Sequence, residues 1–216
     1  MNTKQVTNLL FMPLDIERPP AIDLDYLDNL EDKHFWLDEY RNCRHLPIHV
    51  TRGGDWFFTQ HYPQLNEWLQ THIWPITGQC RVVIICTQPG ETNPPHIDCS
   101  PDMFSNLNHK IRYVYRGRVD DLMFMGKGET KRVPNIDAPF VMDGSWPHWM
   151  KNNTDCVKYT LAIGSPWEAT LQDKDYLELL EHSFDYAQFD EFYISSLDIE
   201  LPDNYKDFYE PKYKEN

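Results

Sequence analysis

Between residues 80 and 165 the chain breaks into seven or eight short apolar or alternating runs, each closed by Gly, Pro, Asn or Asp. This punctuation limits the folds open to it. RVVIICTQ (81–88) is rich in β-branched residues, and KIRYVYRG (110–117) and LMFMGKG (122–128) alternate. KRVP (131–134), PFVMDG (139–144), PHWMKN (147–152) and CVKYTLAIG (156–164) follow. Runs this closely spaced leave no room for crossover helices, so an antiparallel sandwich or barrel is expected instead of a βαβ sheet. Helical patterns lie on either side. Residues 22–42 place Leu24, Leu27, Leu30, Trp36, Leu37 and Tyr40 at mainly helical spacing, as one helix or as a helix broken near Asp32. Pro63 opens a second such run to Trp74, and Tyr176, Leu177, Leu180, Phe184 and Ala187 mark a third beyond Pro166. The expectation is a mainly β fold with flanking helices, organised as one domain over 1–216. A helical flank (1–79) precedes a jelly-roll core (80–166), and an acidic, aromatic-rich helical extension (167–216) follows it.

Charge narrows the partners. The net charge is −14, and from Leu171 onward 13 acidic residues face 4 basic ones. Such a surface repels phosphate backbones, so nucleic acid is not an expected partner. No apolar run reaches the roughly 18 residues of a membrane span, and Pro13 and Asp15 cut off the one apolar patch near the start. Five cysteines without a CxxC pair fit free thiols in a reducing compartment, so a cytoplasmic protein is expected. Oligomeric state is not legible.

The residues that carry chemistry are His96, Asp98, His148 and Lys158. On an extended strand, His and Asp two apart share a face, so both can reach one metal ion. By itself His-x-Asp is a weak signal, because a chain with nine histidines meets such triplets by chance. A distant second histidine, His148, would complete a two-His, one-carboxylate set with open positions, which suits iron(II), dioxygen and a bidentate co-substrate. His148 and Lys158 flank the turn-like cluster Asn152-Asn153-Thr154-Asp155. A hairpin folded there puts residue 148 opposite residue 158, and cross-strand partners share a face. Lys158 would then face inward and need an anion, which the far carboxylate of a 2-oxo diacid supplies. A register slip by one residue sends Lys158 to water instead.

That order of strand, His96-Ile97-Asp98, strand, distal His148 and a basic residue ten positions later resembles the double-stranded β-helix, a cupin-like jelly roll, of iron(II)/2-oxoglutarate dioxygenases. Within that superfamily, HKIRYVYRG followed by FVMDGSWPHWMKNNTDCVKYTLAIG is similar to the aspartyl/asparaginyl β-hydroxylase branch, with Phe140, Ser145, His148 and Asn152 at matching places. The resemblance covers about residues 80 to 165. It implies iron(II) held by His96, Asp98 and His148, and 2-oxoglutarate as co-substrate, with ascorbate as reductant. The implied reaction is hydroxylation of an amino-acid, peptide or protein side chain with release of succinate and CO2. Two departures stand out. That branch can lack the carboxylate ligand, which here is Asp98, and it usually carries Arg at the place of Lys158, so a point-charge contact replaces a planar fork. With Asp98 in the place a halide would need, hydroxylation is implied over halogenation.

Arg112 shares its strand face with Val114 and Arg116, and Tyr113 and Tyr115 occupy the other; one of the two sets should line the cavity. The resemblance favours Arg112, which would hold a substrate carboxylate or the 2-oxo acid. Ser145 and Asn152 could orient a ligand, although turn chemistry explains them equally. Trp146 and Trp149 read as packing around the distal histidine. Cys99, next to Asp98, points to the opposite strand face, which weakens a Cys/His nucleophile. A nucleobase dealkylase is disfavoured, since its second arginine would fall at Gly164. Two other functions remain open on the same barrel: a cupin-type metal enzyme such as an isomerase or epimerase, and a non-catalytic binding module.

Overall fold

A computed structural model of the protein describes residues 1–49, 61–98, 107–165, 173–189 and 192–209; Cys99 and Pro166 lie outside these. The strands are β1 (Leu9–Pro13), β2 (Trp36–Asp38), β3 (Cys43–His49), β4 (Arg81–Thr87), β5 (Thr92–His96), β6 (His109–Arg116), β7 (Leu122–Met125), β8 (Thr130–Arg132), β9 (Phe140–Asp143), β10 (His148–Lys151), β11 (Lys158–Ser165) and β12 (Ile194–Ser195). They form two antiparallel sheets, one in the order β12-β1-β9-β6-β11-β4-β3-β2 and one in the order β5-β10-β7-β8. Strands β4 to β11 thus divide between the sheets, with β4, β6, β9 and β11 in the larger and β5, β7, β8 and β10 in the smaller. This is the double-stranded β-helix, or jelly roll.

The larger sheet is buried on both faces, and strand alternation shows how. Along β4, Arg81, Val83 and Ile85 line the cavity between the sheets, whereas Val82, Ile84 and Cys86 enter the core on the other side. The helices α1 (Thr3–Thr7), α2 (Leu24–Asp28), α3 (Pro63–Trp68), α4 (Trp74–Thr77) and α5 (Lys174–Phe189) accompany the sheets. A π-type turn over Leu69–Ile73 joins α3 to α4. Leu65, Leu69 and Ile73 from that stretch, with Tyr176, Leu180, Phe184 and Ala187 from α5, complete the outer core.

Two expectations are corrected. The helix read over 22–42 stops at Asp28; a 3-10 turn at Asp32–His34 follows, then β2 on the sheet edge. Its apolar spacing misled because Trp36 and Leu37 are 43% and 66% exposed, so they form no buried helical stripe. Strands β10 and β11 are not a hairpin pair. His148 pairs with His96 and Phe124 in the smaller sheet, and Lys158 pairs with Thr87 in the larger. The two side chains line one cavity from opposite sheets, and are not paired along a ladder.

His109 ties α5 to the larger sheet, its Nδ1 standing 2.6 Å from the Tyr176 hydroxyl, and both residues are buried. Burial, with the nearby Lys110 ammonium, lowers the His109 pKa to about 3 from an ordinary 6.5. The unfolded chain gains this proton near pH 6.5 and the folded chain does not until about pH 3. Its contribution to stability is therefore full above pH 6.5 and declines as pH falls, by about 1.4 kcal/mol per unit. Urea denaturation at pH 7 and pH 5 is expected to show a loss about 2 kcal/mol smaller in His109→Gln than in the parent. Equal losses would remove His109 from the account.

Candidate metal centre

His96 ends β5 and His148 begins β10, and these two residues are direct cross-strand partners. Their ring centroids lie 4.3 Å apart. Each Nδ1 sits 2.8 Å from the carbonyl oxygen two residues earlier, of Pro94 and of Trp146. A carbonyl only accepts, so each Nδ1 carries the hydrogen and donates it. In the neutral ring Nε2 then keeps its lone pair for a metal. Burial, helped by the neighbouring His96, lowers the His148 pKa to about 3, so this ring is neutral at neutral pH.

Asp98 supplies the carboxylate. Its Oδ1 is 3.4 Å from His96 Nε2 and its Oδ2 is 3.9 Å from His148 Nε2. Two ligands at right angles on one ion, each about 2.1 Å from it, stand about 3 Å apart. The three side chains therefore need only small adjustments to share an ion, and they leave positions open, as iron(II) oxygenase chemistry requires. The donor set fits. Burial would raise the Asp98 pKa, but the Arg41 guanidinium opposes it first, and the carboxyl is held well below its ordinary range.

The surroundings fix this carboxylate. Asp98 N–H donates to the Gly144 carbonyl, and Gly144 N–H donates to the Asn108 carbonyl, both at 2.8 Å. A Cβ on Gly144 would stand 3.1 Å from Asp98 Cβ and 3.2 Å from its Oδ2, so a side chain there would have to shift the ligand by a few tenths of an ångström. Arg41 Nη2 donates to Asp98 Oδ1 at 2.9 Å while Nη1 donates to Asp38 at 2.8 Å. Arg41 reaches inward from the β2–β3 turn, where Asn42 adopts φ +49°, a left-handed conformation that asparagine tolerates. Behind the site, Ile97 N–H donates to the Phe208 carbonyl at 2.9 Å, and Ile97 bridges Tyr209. The Tyr40 hydroxyl also donates to Phe208 O at 3.3 Å, and the Tyr40 ring stands edge-on to His96.

The cavity beside these ligands measures about 210 Å³ and is lined from both sheets. Lys158 and Arg112 both line it, as do Trp149 and Phe140. Lys158 is 2% exposed and Asp121 1%, and their charges pair at 3.3 Å. Lys158 Nζ also donates to the Arg118 carbonyl. Burial lowers the Lys158 pKa, opposed chiefly by Asp121. Gly117, at φ +109°, lies under the lysine stem, where a Cβ would approach Lys158 Cγ to 2.7 Å. Arg112 donates Nη1 to the carbonyls of Ile111 and Ile163, and its Nη2 stands 3.8 Å from Asp98 Oδ2. Tyr113 belongs instead to the outer core with Tyr115.

Ser145 and Asn152 are not among the cavity-lining residues. Ser145 donates from N and Oγ to Asp143 at 2.7 Å. Asn152 donates to the carbonyls of Thr87 and Cys156 and accepts from Thr154, which knots the turn before β11. Trp146 Nε1 donates to the Met125 carbonyl.

A second group, Asp38, Cys43 and His45, also brings three possible ligand atoms within 4.8 Å. Its charges oppose a metal. Arg41 already grips Asp38, Arg81 Nη2 donates to His45 Nδ1 at 3.0 Å, and burial pushes the Cys43 thiol up to about 12. Sequence reasoning missed Arg41, Arg81 and Gly144. Arg81 had a signal, since it shares strand parity with Val83 and Ile85; Arg41 and Gly144 had none that spacing could reveal.

No family model and no curated protein matches the chain. Among solved structures it is similar to a prolyl-4-hydroxylase of Pseudomonas putida, at 14% identity over 64% of this chain and 78% of that one, TM-score 0.40. It is also similar to an oxidoreductase of the 2OG-Fe(II) oxygenase family from Burkholderia pseudomallei, at 12% identity over 67% and 80%, TM-score 0.42. An oxalate oxidase matches at 16% identity over 74% and 77%, TM-score 0.35. Likenesses this distant carry nothing about activity, so the functional reading stands on the site's own chemistry. Among the described residues no helix is long and apolar enough to cross a membrane.

Proposed function

We propose that the protein is an iron(II)- and 2-oxoglutarate-dependent oxygenase that hydroxylates an amino-acid or peptide side chain. One observation carries this reading: His96 Nε2, His148 Nε2 and the Asp98 carboxylate converge beside a buried cationic cavity, with both Nδ1 atoms already committed to carbonyls. His96, Asp98 and His148 would hold the iron. When bound, iron with the 2-oxo acid supplies the oxidising chemistry: substrate, dioxygen and 2-oxoglutarate give hydroxylated substrate, succinate and CO2.

The remaining work belongs to the chain. Lys158 has three donors and uses two, on Arg118 and Asp121, so one is left for the far carboxylate of the co-substrate. Its position suits that role. His148 is level with Phe124 and Met150 with Leu122, which places Asp121 and its lysine two to three residues along, about 7–10 Å. Val83, Ile85, Val114, Leu122 and Phe140 give the cavity apolar walls that keep bulk water from the reacting groups. Asp98 is kept ionised by Arg41, and the His148 ring is kept neutral by burial, which are the protonation states a metal needs.

Purified protein given iron(II), ascorbate and 2-oxoglutarate under air is expected to release succinate slowly, and faster with the right substrate. No succinate under any substrate, with iron still bound through His148, would leave a metal protein of another kind.

A further inference from the structure

Among the described residues five cationic side chains line the cavity, Arg41, Arg81, Lys110, Arg112 and Lys158, against one carboxylate, Asp98. A protein of net charge −14 has gathered them in one place. Three are occupied. Arg41 lies between Asp38 and Asp98, Lys158 meets Asp121, and Lys110 Nζ donates to the Gly164 carbonyl at 2.7 Å. Arg81 and Arg112 differ. Among the described residues Arg112 has two carbonyls and a distant share of Asp98, whose charge a metal would also draw on. Arg81 forms no ion pair among the described residues. It donates to His45 and stands 5.7 Å from the Trp36 ring, and its Nε is buried with no hydrogen-bond partner among the described residues. A buried guanidinium N–H without an acceptor is costly unless something else supplies one.

The ladder places this surplus. Along β4 and β11, Lys158 is level with Thr87 and Arg81 with Ser165, so the two cations mark opposite ends of the strand pair, about 20 Å apart along it. Arg112 is level with Ala162, near the Arg81 end. One diacid co-substrate gripped at Lys158 therefore leaves the arginine end unanswered.

We propose that Arg81 and Arg112 form a second anion subsite, which holds a carboxylate of the substrate at the end of the cavity opposite Lys158. This rests on the oxygenase reading and deepens it. His45 positions Arg81, and a planar guanidinium matches a carboxylate with two parallel donors. The substrate is thus a small acid, or a peptide presenting an acidic side chain.

Acetate alone is the probe, titrated into protein loaded with iron(II) and 2-oxoglutarate without dioxygen and read by the relaxation its methyl protons feel from the iron. Saturable binding is expected for acetate and not for acetamide, with a loss of at least tenfold in Arg81→Met and a smaller loss in Arg81→Lys, which keeps the charge but forfeits the fork. 2-Oxoglutarate affinity is expected to stay within twofold in Arg81→Met and to collapse in Lys158→Met. Acetate and acetamide behaving alike would overturn the subsite. So would a tenfold loss of 2-oxoglutarate in Arg81→Met with none in Lys158→Met, because the arginine end would then be the co-substrate's own and the oxygenase reading would survive. Parent protein that binds no iron sinks both. Among free amino acids and end-capped peptides screened for a gain of one oxygen, oxidation of free acids only assigns an α-carboxylate, and oxidation of capped Asp or Glu peptides assigns a side-chain one. Oxidation confined to substrates with no carboxylate overturns the proposal.

Discussion

Asp98→Ala is expected to abolish iron(II) binding and, in the metal-free protein, to lower folding stability by about 3 kcal/mol. Both losses have one origin. The carboxylate is a metal ligand candidate and also the anion shared by Arg41 and Arg112, at 2.9 and 3.8 Å. Its removal strands partly buried guanidinium charge, and breaking one side of a buried pair is costly because the other charge stays behind. His148→Ala separates the two effects. It removes a ligand as well, but forfeits only a neutral imidazole and its bond to the Trp146 carbonyl, about 1 kcal/mol. Iron titration and urea midpoints on both variants make the comparison. Iron affinity within threefold of the parent in both would end the metal-centre reading.

The Asp121–Lys158 pair gives the second large effect. Both side chains are almost wholly buried, so Asp121→Ala is expected to destabilise the fold by about 3–5 kcal/mol by leaving the ammonium unpaired. Replacing both partners, as Asp121→Leu with Lys158→Met, is expected to recover most of that stability, since two apolar groups strand no charge. Binding follows a different order. 2-Oxoglutarate affinity is expected to fall at least a hundredfold in every variant without Lys158, the stable double variant included. Denaturation midpoints and a co-substrate titration read the two quantities independently. A double variant that binds 2-oxoglutarate normally would assign the anchor to another cation.

The β-core was legible because its strands are short, punctuated and alternating, and that alternation also brought His96 and Asp98 to one face. His148 was legible as a distant histidine on the run before the Asn152–Asp155 cluster, and Lys158 through its place on the run after it. Lys158 reaches the cavity without a hairpin to His148: it faces inward on the larger sheet, opposite Thr87, and the anion that burial demands is already present as Asp121. A local pattern cannot foresee that partner, because Asp121 belongs to the loop before another strand of the other sheet. Arg41 was hidden for a different reason. Trp36 and Leu37 imitate a buried helical stripe while lying exposed on an edge strand, so the turn that aims Arg41 at Asp98 was read as helix.

The contact behind the ligands has a consequence for the order of assembly. The amide of Ile97, between His96 at the end of β5 and Asp98 just beyond it, takes its acceptor from Phe208, far later in the chain. During synthesis that acceptor emerges only after every strand of the jelly roll. The segment that carries His96 and Asp98 therefore stays incompletely anchored until Phe208 has been added, and a shorter nascent chain is expected to position Asp98 less firmly.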